Sequence, residues 1–112
     1  MHVDISNIPH RVVKAYGEID ISNVESLNAA LQGAADESPS GFVLDISGTD
    51  YIDSAGIQAI ISAYRRLRQS DGKLIIVNDN ETIKELISIV HLDKLPNVTI
   101  IDDLSNAGSL LN

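Results

Sequence analysis

Two kinds of apolar pattern alternate along residues 42–101, and this alternation constrains the fold more than any other feature of the sequence. Residues 42–46, 73–77 and 98–101 are short apolar runs, typical of strands buried on both faces. Between them, apolar residues recur every three or four positions, as on one side of an amphipathic helix. They are Ile57, Ile60, Ile61, Tyr64 and Leu67 in the first stripe and Ile83, Leu86, Ile87 and Val90 in the second. Short strands joined through helices pair in parallel with right-handed crossovers, so an α/β fold is predicted.

The N-terminal part of the chain predicts two further strands. Residues 2–5 alternate between polar and apolar side chains, and residues 11–16 are rich in strand formers. Pro9 and His10 separate the two runs at a predicted turn, so we expect a short antiparallel pair. Gly17 is predicted to end the second strand.

The helix ends carry capping signals. Ser22 and Glu25 have the spacing of a capping box, ahead of apolar residues that repeat at helical intervals over residues 24–35. Asp79 or Asn80 is predicted to cap the helix that follows residues 73–77. A short last helix is predicted to carry Leu104, Ala107 and Leu110 or Leu111.

Together these elements predict one domain over residues 1–112. The sheet is mixed, with four to five strands, parallel central strands and residues 42–46 near its middle. About four helices flank the sheet and cover its apolar faces.

Charge and composition exclude several classes of function. Eight Lys and Arg against 16 Asp and Glu give a formal net charge of −8, the wrong sign for binding the phosphate backbone of nucleic acids. The absence of cysteine excludes disulfides and thiolate metal sites. No secretory segment opens the sequence, so a cytoplasmic location is expected. The longest apolar runs, such as residues 74–77, are far too short to span a membrane.

Enzymatic chemistry needs groups that this sequence does not bring together. The three histidines lie in separate segments, without the spacing that puts two imidazoles on one helical face. Gly48, Gly56 and Gly72 are too dispersed for a phosphate-binding loop, and Ser54 lacks the preceding glycine of a nucleophile elbow. We therefore predict no catalytic centre, no cofactor and no metal ion.

Residues 45–56 join the predicted central strand to the helix that begins near Ser54. In parallel α/β sheets, residues beyond the carboxyl ends of strands form ligand-facing sites. A hydroxyl in the first helical turn meets unpaired backbone N–H groups and the positive end of the helix dipole, so a phosphoryl group on Ser54 could be accommodated. The alternative is that Asp53 or Ser54 acts only as the N-cap of the helix.

Acidic residues surround this predicted site, whereas the nearest basic run lies far from it. Asp20, in a predicted turn after the second strand, and Asp50 and Asp53 make the surface acidic. A phosphoserine adds roughly 1.5 to 2 negative charges, so phosphorylation would weaken binding at this surface. The run Arg65, Arg66 and Arg68 begins about 16 Å along the helix from Ser54. It is interpreted as a solvated last turn that complements the helix dipole.

Three segments carry a resemblance to a known family. Gly17-Glu18-Ile19-Asp20, residues 42–48 and residues 51–57 resemble the STAS domain of bacterial anti-sigma factor antagonists. The likeness continues in order and spacing through residues 65–67, 72–74 and 91–95, and spans nearly all 112 residues.

This resemblance implies a small cytoplasmic regulator that is not itself an enzyme. When unphosphorylated, such a protein binds an anti-sigma factor serine kinase and so frees a sigma factor for RNA polymerase. The kinase uses ATP to phosphorylate the serine that corresponds to Ser54, which switches binding off, and a PP2C-type serine phosphatase removes the group. The resemblance implies that Asp20 and Asp53 are recognition residues, and we predict that Asp50, Ala55, Gly56 and Gln58 also bind the partner.

One departure from the family pattern concerns partner choice. The family often has glycine where this chain has Gln58, one helical turn beyond Ser54 on the same side. The longer amide would stand in the docking surface, as a steric feature or as a hydrogen-bonding group.

Other functions also stay open: a STAS component without a switch, either a signalling scaffold or an accessory subunit of a membrane lipid or anion transporter, and an enzyme with Ser54 as nucleophile.

Overall fold

The computed structural model describes residues 1–7 and 10–111, so the turn predicted at Pro9 lies outside the described residues. The elements there are β1 (His2–Ser6), β2 (Val12–Ile19), α1 (Val24–Glu37), β3 (Gly41–Ile52), α2 (Ser54–Arg68), β4 (Lys73–Val77), α3 (Glu81–Ile89), β5 (Val98–Ile101) and α4 (Ala107–Leu111). Short 3-10 turns precede β5 (Leu92–Lys94) and α4 (Leu104–Asn106). Within the described residues, no helix combines the length and the apolar character that crossing a membrane requires.

The five strands form one mixed sheet whose spatial order, β1-β2-β3-β4-β5, is the order along the chain. β1 runs antiparallel to β2, and every other neighbouring pair is parallel. The register places Val13 of β2 beside Leu44 of β3, and Leu44 beside Ile76 of β4. The predicted α/β class, the antiparallel first pair and the central position of the third strand are confirmed.

The sequential strand order also decides where the helices lie. The connections through α1, α2 and α3 each lead to the next strand in the same direction, so crossovers of one hand place all three helices on one face. The main core forms there, and its largest fully buried side chains include Phe42, Leu44, Ile60 and Leu67. A smaller cluster on the other face packs beneath α4, and consists of Val12, Val43, Ile75, Val77 and Ala107.

β2 and β3 are both longer than the sequence predicts. The prediction that Gly17 ends the second strand is wrong, because β2 passes through Gly17 at φ +82° and continues to Ile19. β3 likewise extends to Ile52. Two register shifts between the strands accommodate the turn-forming residues within the sheet. Thr49 Oγ1 also donates to the carbonyl of Ala15 at 3.1 Å, which links β3 to β2.

The capping box predicted at Ser22 and Glu25 is also wrong. α1 begins after Asn23, whose side chain makes no capping hydrogen bond. The Ser22 hydroxyl donates instead to the Asp20 carboxylate, so it is not available to the helix.

Candidate functional site

The candidate site lies where β2 and β3 end side by side. Ile19 and Ile52 are paired as the last residues of the two strands, and the Asp53 amide donates to the Ile19 carbonyl at 3.1 Å. The segment after β2 and the first turn of α2 therefore leave the sheet as neighbours. This brings Asp20 close to the start of the helix that carries Ser54.

Asp53 fixes both of these segments with one carboxylate. Oδ1 accepts from the amides of Ala55 at 2.9 Å and Gly56 at 3.2 Å, which caps α2. Oδ2 accepts from the amide of Ile21 at 3.2 Å, in the loop after β2. Asp53 is therefore the N-cap, as one alternative predicted. The N–H groups of Ala55 and Gly56 are already paired, so the prediction that Ser54 meets unpaired amides is wrong for these two.

Gly56 allows α2 to approach the sheet closely. It is buried, and a Cβ built on it would lie 2.5 Å from Ile52 Cγ1 and 2.9 Å from Ile19 Cγ2. Any side chain here would force Ile52, Ile19 or the helix start itself to shift. Gly56 thus sets the position of Ser54, which is exposed as the first residue of α2.

The loop after β2 is held by its own hydrogen bonds. The Asp20 carboxylate accepts from both the amide and the hydroxyl of Ser22, and these bonds hold the pKa of Asp20 below its ordinary value. Asn23 accepts from the Asp20 amide at 3.0 Å and donates to the Glu18 carbonyl at 2.9 Å. The loop is thereby fixed on both sides of Ile21, whose side chain is 78% exposed.

A mainly apolar groove of about 350 Å³ opens beside Ser54, between α2 and α3. Its walls are formed mostly by Ile52, Ile57, Ile61, Leu86 and Val90, and Gln58 stands exposed at its rim. The apolar residues of both helices were predicted to lie in core stripes, and the groove was not predicted. The signal available was that Ile61 lies at the edge of its stripe and that Val90 is the last residue of the other stripe.

The predicted site residues differ in position and exposure. Asp20, Ser54 and Gln58 are at least partly accessible around the start of α2, whereas Asp53 and Gly56 are engaged within the fold. Ala55 is half-buried and gives its amide to Asp53. Asp50 is exposed on the bulged part of β3. We call Asp20, Ile21, Ser54, Gln58 and the groove between α2 and α3 the Ser54 surface.

Comparison with known proteins decides the family. A model of the STAS domain matches residues 3–107. The chain belongs to the STAS domain family.

Named relatives and solved structures agree with this membership. BtrV of Bordetella bronchiseptica is 32% identical over 73 residues, which cover 65% of this STAS domain and 63% of BtrV. An anti-sigma-B factor antagonist of Staphylococcus epidermidis is 29% identical over 101 residues, 88% of this chain and 94% of that protein.

Two solved structures share the fold of this STAS domain. An anti-sigma factor antagonist from Mycobacterium paratuberculosis has a TM-score of 0.85 at 23% identity, covering 98% of this chain and 92% of that one. The Bacillus cell fate determinant SpoIIAA in its phosphorylated form has a TM-score of 0.75 at 18% identity, covering 99% of this chain and all of that one (100%).

The basic run of this STAS domain lies at the other end of α2 from Ser54. Arg66 pairs with Asp36 and donates to Gln32 on α1 at 3.1 Å, and Arg65 and Arg68 are exposed. This agrees with the interpretation of the run as a solvated last turn. Within residues 1–7 and 10–111, no three His, Asp or Glu side chains are grouped as a metal site would require.

Proposed function

We propose that this STAS domain is an anti-sigma factor antagonist controlled by phosphorylation of Ser54. In its unphosphorylated form it binds an anti-sigma factor serine kinase in the cytoplasm and so releases a sigma factor for transcription. Phosphorylation by that kinase ends the binding, and a PP2C-type serine phosphatase restores it. The observation that carries the proposal is the exposed Ser54 hydroxyl on a helix start fixed by Asp53.

The Ser54 surface has the composition of a protein-binding site. It combines an apolar groove with the exposed side chain of Ile21, and polar groups of Asp20 and Gln58 stand around them. Apolar contact area surrounded by polar groups is the usual arrangement of a protein interface. The names of the relatives, as antagonists of anti-sigma factors, supply the class of partner.

The geometry also supports a switch that acts through the bulk and charge of the phosphoryl group at the point of contact. The amides of Ala55 and Gly56 already donate hydrogen bonds to Asp53. They cannot donate to the oxygens of a phosphoryl group on Ser54 unless Asp53 is displaced. The phosphoryl group would therefore project from the surface, adding roughly 1.5 to 2 negative charges beside Asp20 and Asp53. A partner that fits closely against the uncharged Ser54 hydroxyl meets the bulk and the hydrated charge of the phosphoryl group at that point, so the fit between the two surfaces is lost.

We assign different roles to the remaining predicted residues. Asp20, Asp50 and Gln58 make direct contacts with the partner, because their side chains are accessible to it. Asp53 and Gly56 act through the position of the α2 start. Ala55 adds a small contact beside Ser54.

The test compares the wild type with three variants. Affinity is measured for purified anti-sigma factor serine kinases of the source organism, using the unphosphorylated chain, Ser54→Ala, Ser54→Asp and Ser62→Asp. Ser62 is exposed on the same helix about 12 Å from Ser54, so it controls for added charge alone. We expect Ser54→Ala and Ser62→Asp to bind like the wild type and Ser54→Asp to bind at least tenfold more weakly.

A mass measurement completes the test. After incubation with the bound kinase and ATP, the wild type should gain one phosphoryl group and Ser54→Ala none. Equal affinity of the wild type and Ser54→Asp would contradict the switch and favour a STAS component that binds constitutively. Absence of binding to every kinase would contradict the proposed partner.

A further inference from the structure

Ile21 is the most exposed large apolar side chain in the part of the chain that the structure describes. Its exposed fraction is 78%, so it contributes little to the core. It lies directly after Asp20, on the loop that joins β2 to α1. An isoleucine in this position leaves apolar surface in water without a gain in packing.

The backbone that carries Ile21 is nevertheless fixed. Its amide donates to Asp53 Oδ2 at 3.2 Å, which ties it to the start of α2. On the other side, the amides of Asn23 and Val24 donate to the Asp20 carbonyl at 3.1 and 2.9 Å. A side chain presented on a fixed backbone loses little conformational entropy when a partner binds it.

The surroundings of Ile21 are acidic. Asp20 and Glu18 flank it on the N-terminal side, and the Asp20 carboxylate is held by Ser22 beside it. Asp53 lies directly beneath its amide. A partner surface that covers Ile21 must therefore offer cationic groups to the acids and an apolar recess to the side chain.

We propose that Ile21 is a specificity-determining residue of the Ser54 surface, inserted into an apolar recess of the partner whose edge carries Lys or Arg. This inference rests on the proposed function and names the contact by which one kinase is chosen over another. Because the Ile21 side chain is 78% exposed, another residue can replace it without disturbing the fold. The fixed loop would then present the new side chain at the same position.

The experiment measures affinity and dissociation rate for each purified anti-sigma factor serine kinase of the source organism. The unphosphorylated wild type is compared with Ile21→Ser, Ile21→Val and Ile21→Lys. Ile5→Ser is the matched control, since Ile5 is also exposed, at 52%, but pairs with Val13 at the opposite end of β2 from Ser54. Melting temperatures of all variants are measured alongside.

For the kinase that binds Ser54→Ala, we expect Ile21→Ser to weaken binding at least tenfold, mainly through faster dissociation. Ile21→Lys should weaken it further, because its charge meets the cationic edge. Ile21→Val should stay within about threefold of the wild type, since it keeps most of the apolar contact. Ile5→Ser should bind like the wild type, and the melting temperatures of the Ile21 variants should be unchanged.

The outcomes separate this inference from the function on which it rests. If Ser54→Asp loses binding while Ile21→Ser binds like the wild type, the role of Ile21 is refuted and the phosphoswitch stands. Tighter binding of Ile21→Lys would refute the cationic edge. If the wild type and Ser54→Ala bind no kinase, the proposed function fails and the inference fails with it.

Discussion

α2 and α3 are capped in the same way at their N-termini, but the two capping residues bind different parts of the chain. Asp53 Oδ1 accepts from the amides of Ala55 and Gly56, two and three residues later. Asn80 Oδ1 accepts in the same way from Thr82 at 2.9 Å and Ile83 at 3.2 Å. Both caps follow parallel strands at the same edge of the sheet, so local capping alone does not distinguish the two helix starts.

The two capping residues differ in the other hydrogen bonds that they make. Asp53 Oδ2 reaches the amide of Ile21, 32 residues away in the chain. The Asn80 backbone is instead bonded to the side chain of Asn78, two residues away, by two hydrogen bonds of 3.1 Å. The cap of α3 therefore stabilises its own loop, whereas the cap of α2 joins two loops into one surface.

The third helical residue differs as well. In α3 this position is Ile83, whose side chain is buried in the core. In α2 it is Gly56, where even a Cβ would overlap Ile52 and Ile19. α2 thus begins so close to the strand ends that a side chain at this position requires Ile52 or Ile19 to shift.

The largest effect is expected from removing this close approach. Gly56→Ala should lower the free energy of unfolding by about 1–3 kcal/mol, because the added methyl group overpacks a buried contact. Gly33→Ala makes the same chemical change inside α1, where no atom lies within 4 Å of the built Cβ. It should stabilise the domain by about 0.5–1 kcal/mol. Urea unfolding measures both, and effects of the same sign would contradict the close approach of α2.

Removing either capping side chain should lower the free energy of unfolding by less, and by different amounts for the two helices. Asn80→Ala should cost about 1 kcal/mol, the usual effect of losing a cap. Asp53→Ala should cost up to about 2 kcal/mol and also release the Ile21 amide. Hydrogen exchange should therefore accelerate at Ile21 in Asp53→Ala and stay unchanged there in Asn80→Ala. Equal exchange at Ile21 in both variants would mean that Asp53 does not hold the loop.

The smallest expected effect is a dependence of stability on pH. It is confined to the start of α2, where carboxylates accept the hydrogen bonds, whereas side-chain amides do so at the start of α3. The pKa of Asp20 is lowered from 3.8 by the hydroxyl and amide of Ser22. A lowered pKa contributes stability that is present above 3.8 and lost as the pH falls through the lowered value. Ser22→Ala should raise the pKa of Asp20 toward 3.8, so that this contribution becomes smaller and its loss is complete at a higher pH.

Carboxyl carbon NMR titration of the wild type and Ser22→Ala measures this shift. Ser26→Ala, which changes an exposed serine on α1, is the control and should leave the titration of Asp20 unchanged. An identical pKa of Asp20 in the wild type and Ser22→Ala would show that Ser22 does not lower it.

Periodicity predicted most of the fold, because it reports burial directly. The stripe from Ile57 to Leu67 and the runs at 73–77 and 98–101 lie where the sequence analysis placed them. The ends of β2 and β3 were missed since Gly17, and the Ser, Gly and Thr after Ile46, are turn-forming residues. Their place in strands depends on register shifts between two chain segments, which neither segment reveals alone.

The candidate site was predicted only in its local part. Asp53 was one of two predicted caps of α2, and Asn80 one of two for α3, because capping depends on residues two or three positions apart. The bond from Asp53 to Ile21 crosses 32 residues and could not be inferred from spacing. The capping box failed for a related reason, since the Ser22 hydroxyl is taken by Asp20.

The agreement between strand order and chain order has a consequence for how the protein folds during synthesis. Each strand pairs with the one before it, so no strand has to be inserted between two that are already paired. The sheet can therefore grow at its open edge in the order in which the ribosome delivers the chain. The residues of the Ser54 surface all precede β5, so this surface can be assembled before the last strand leaves the ribosome.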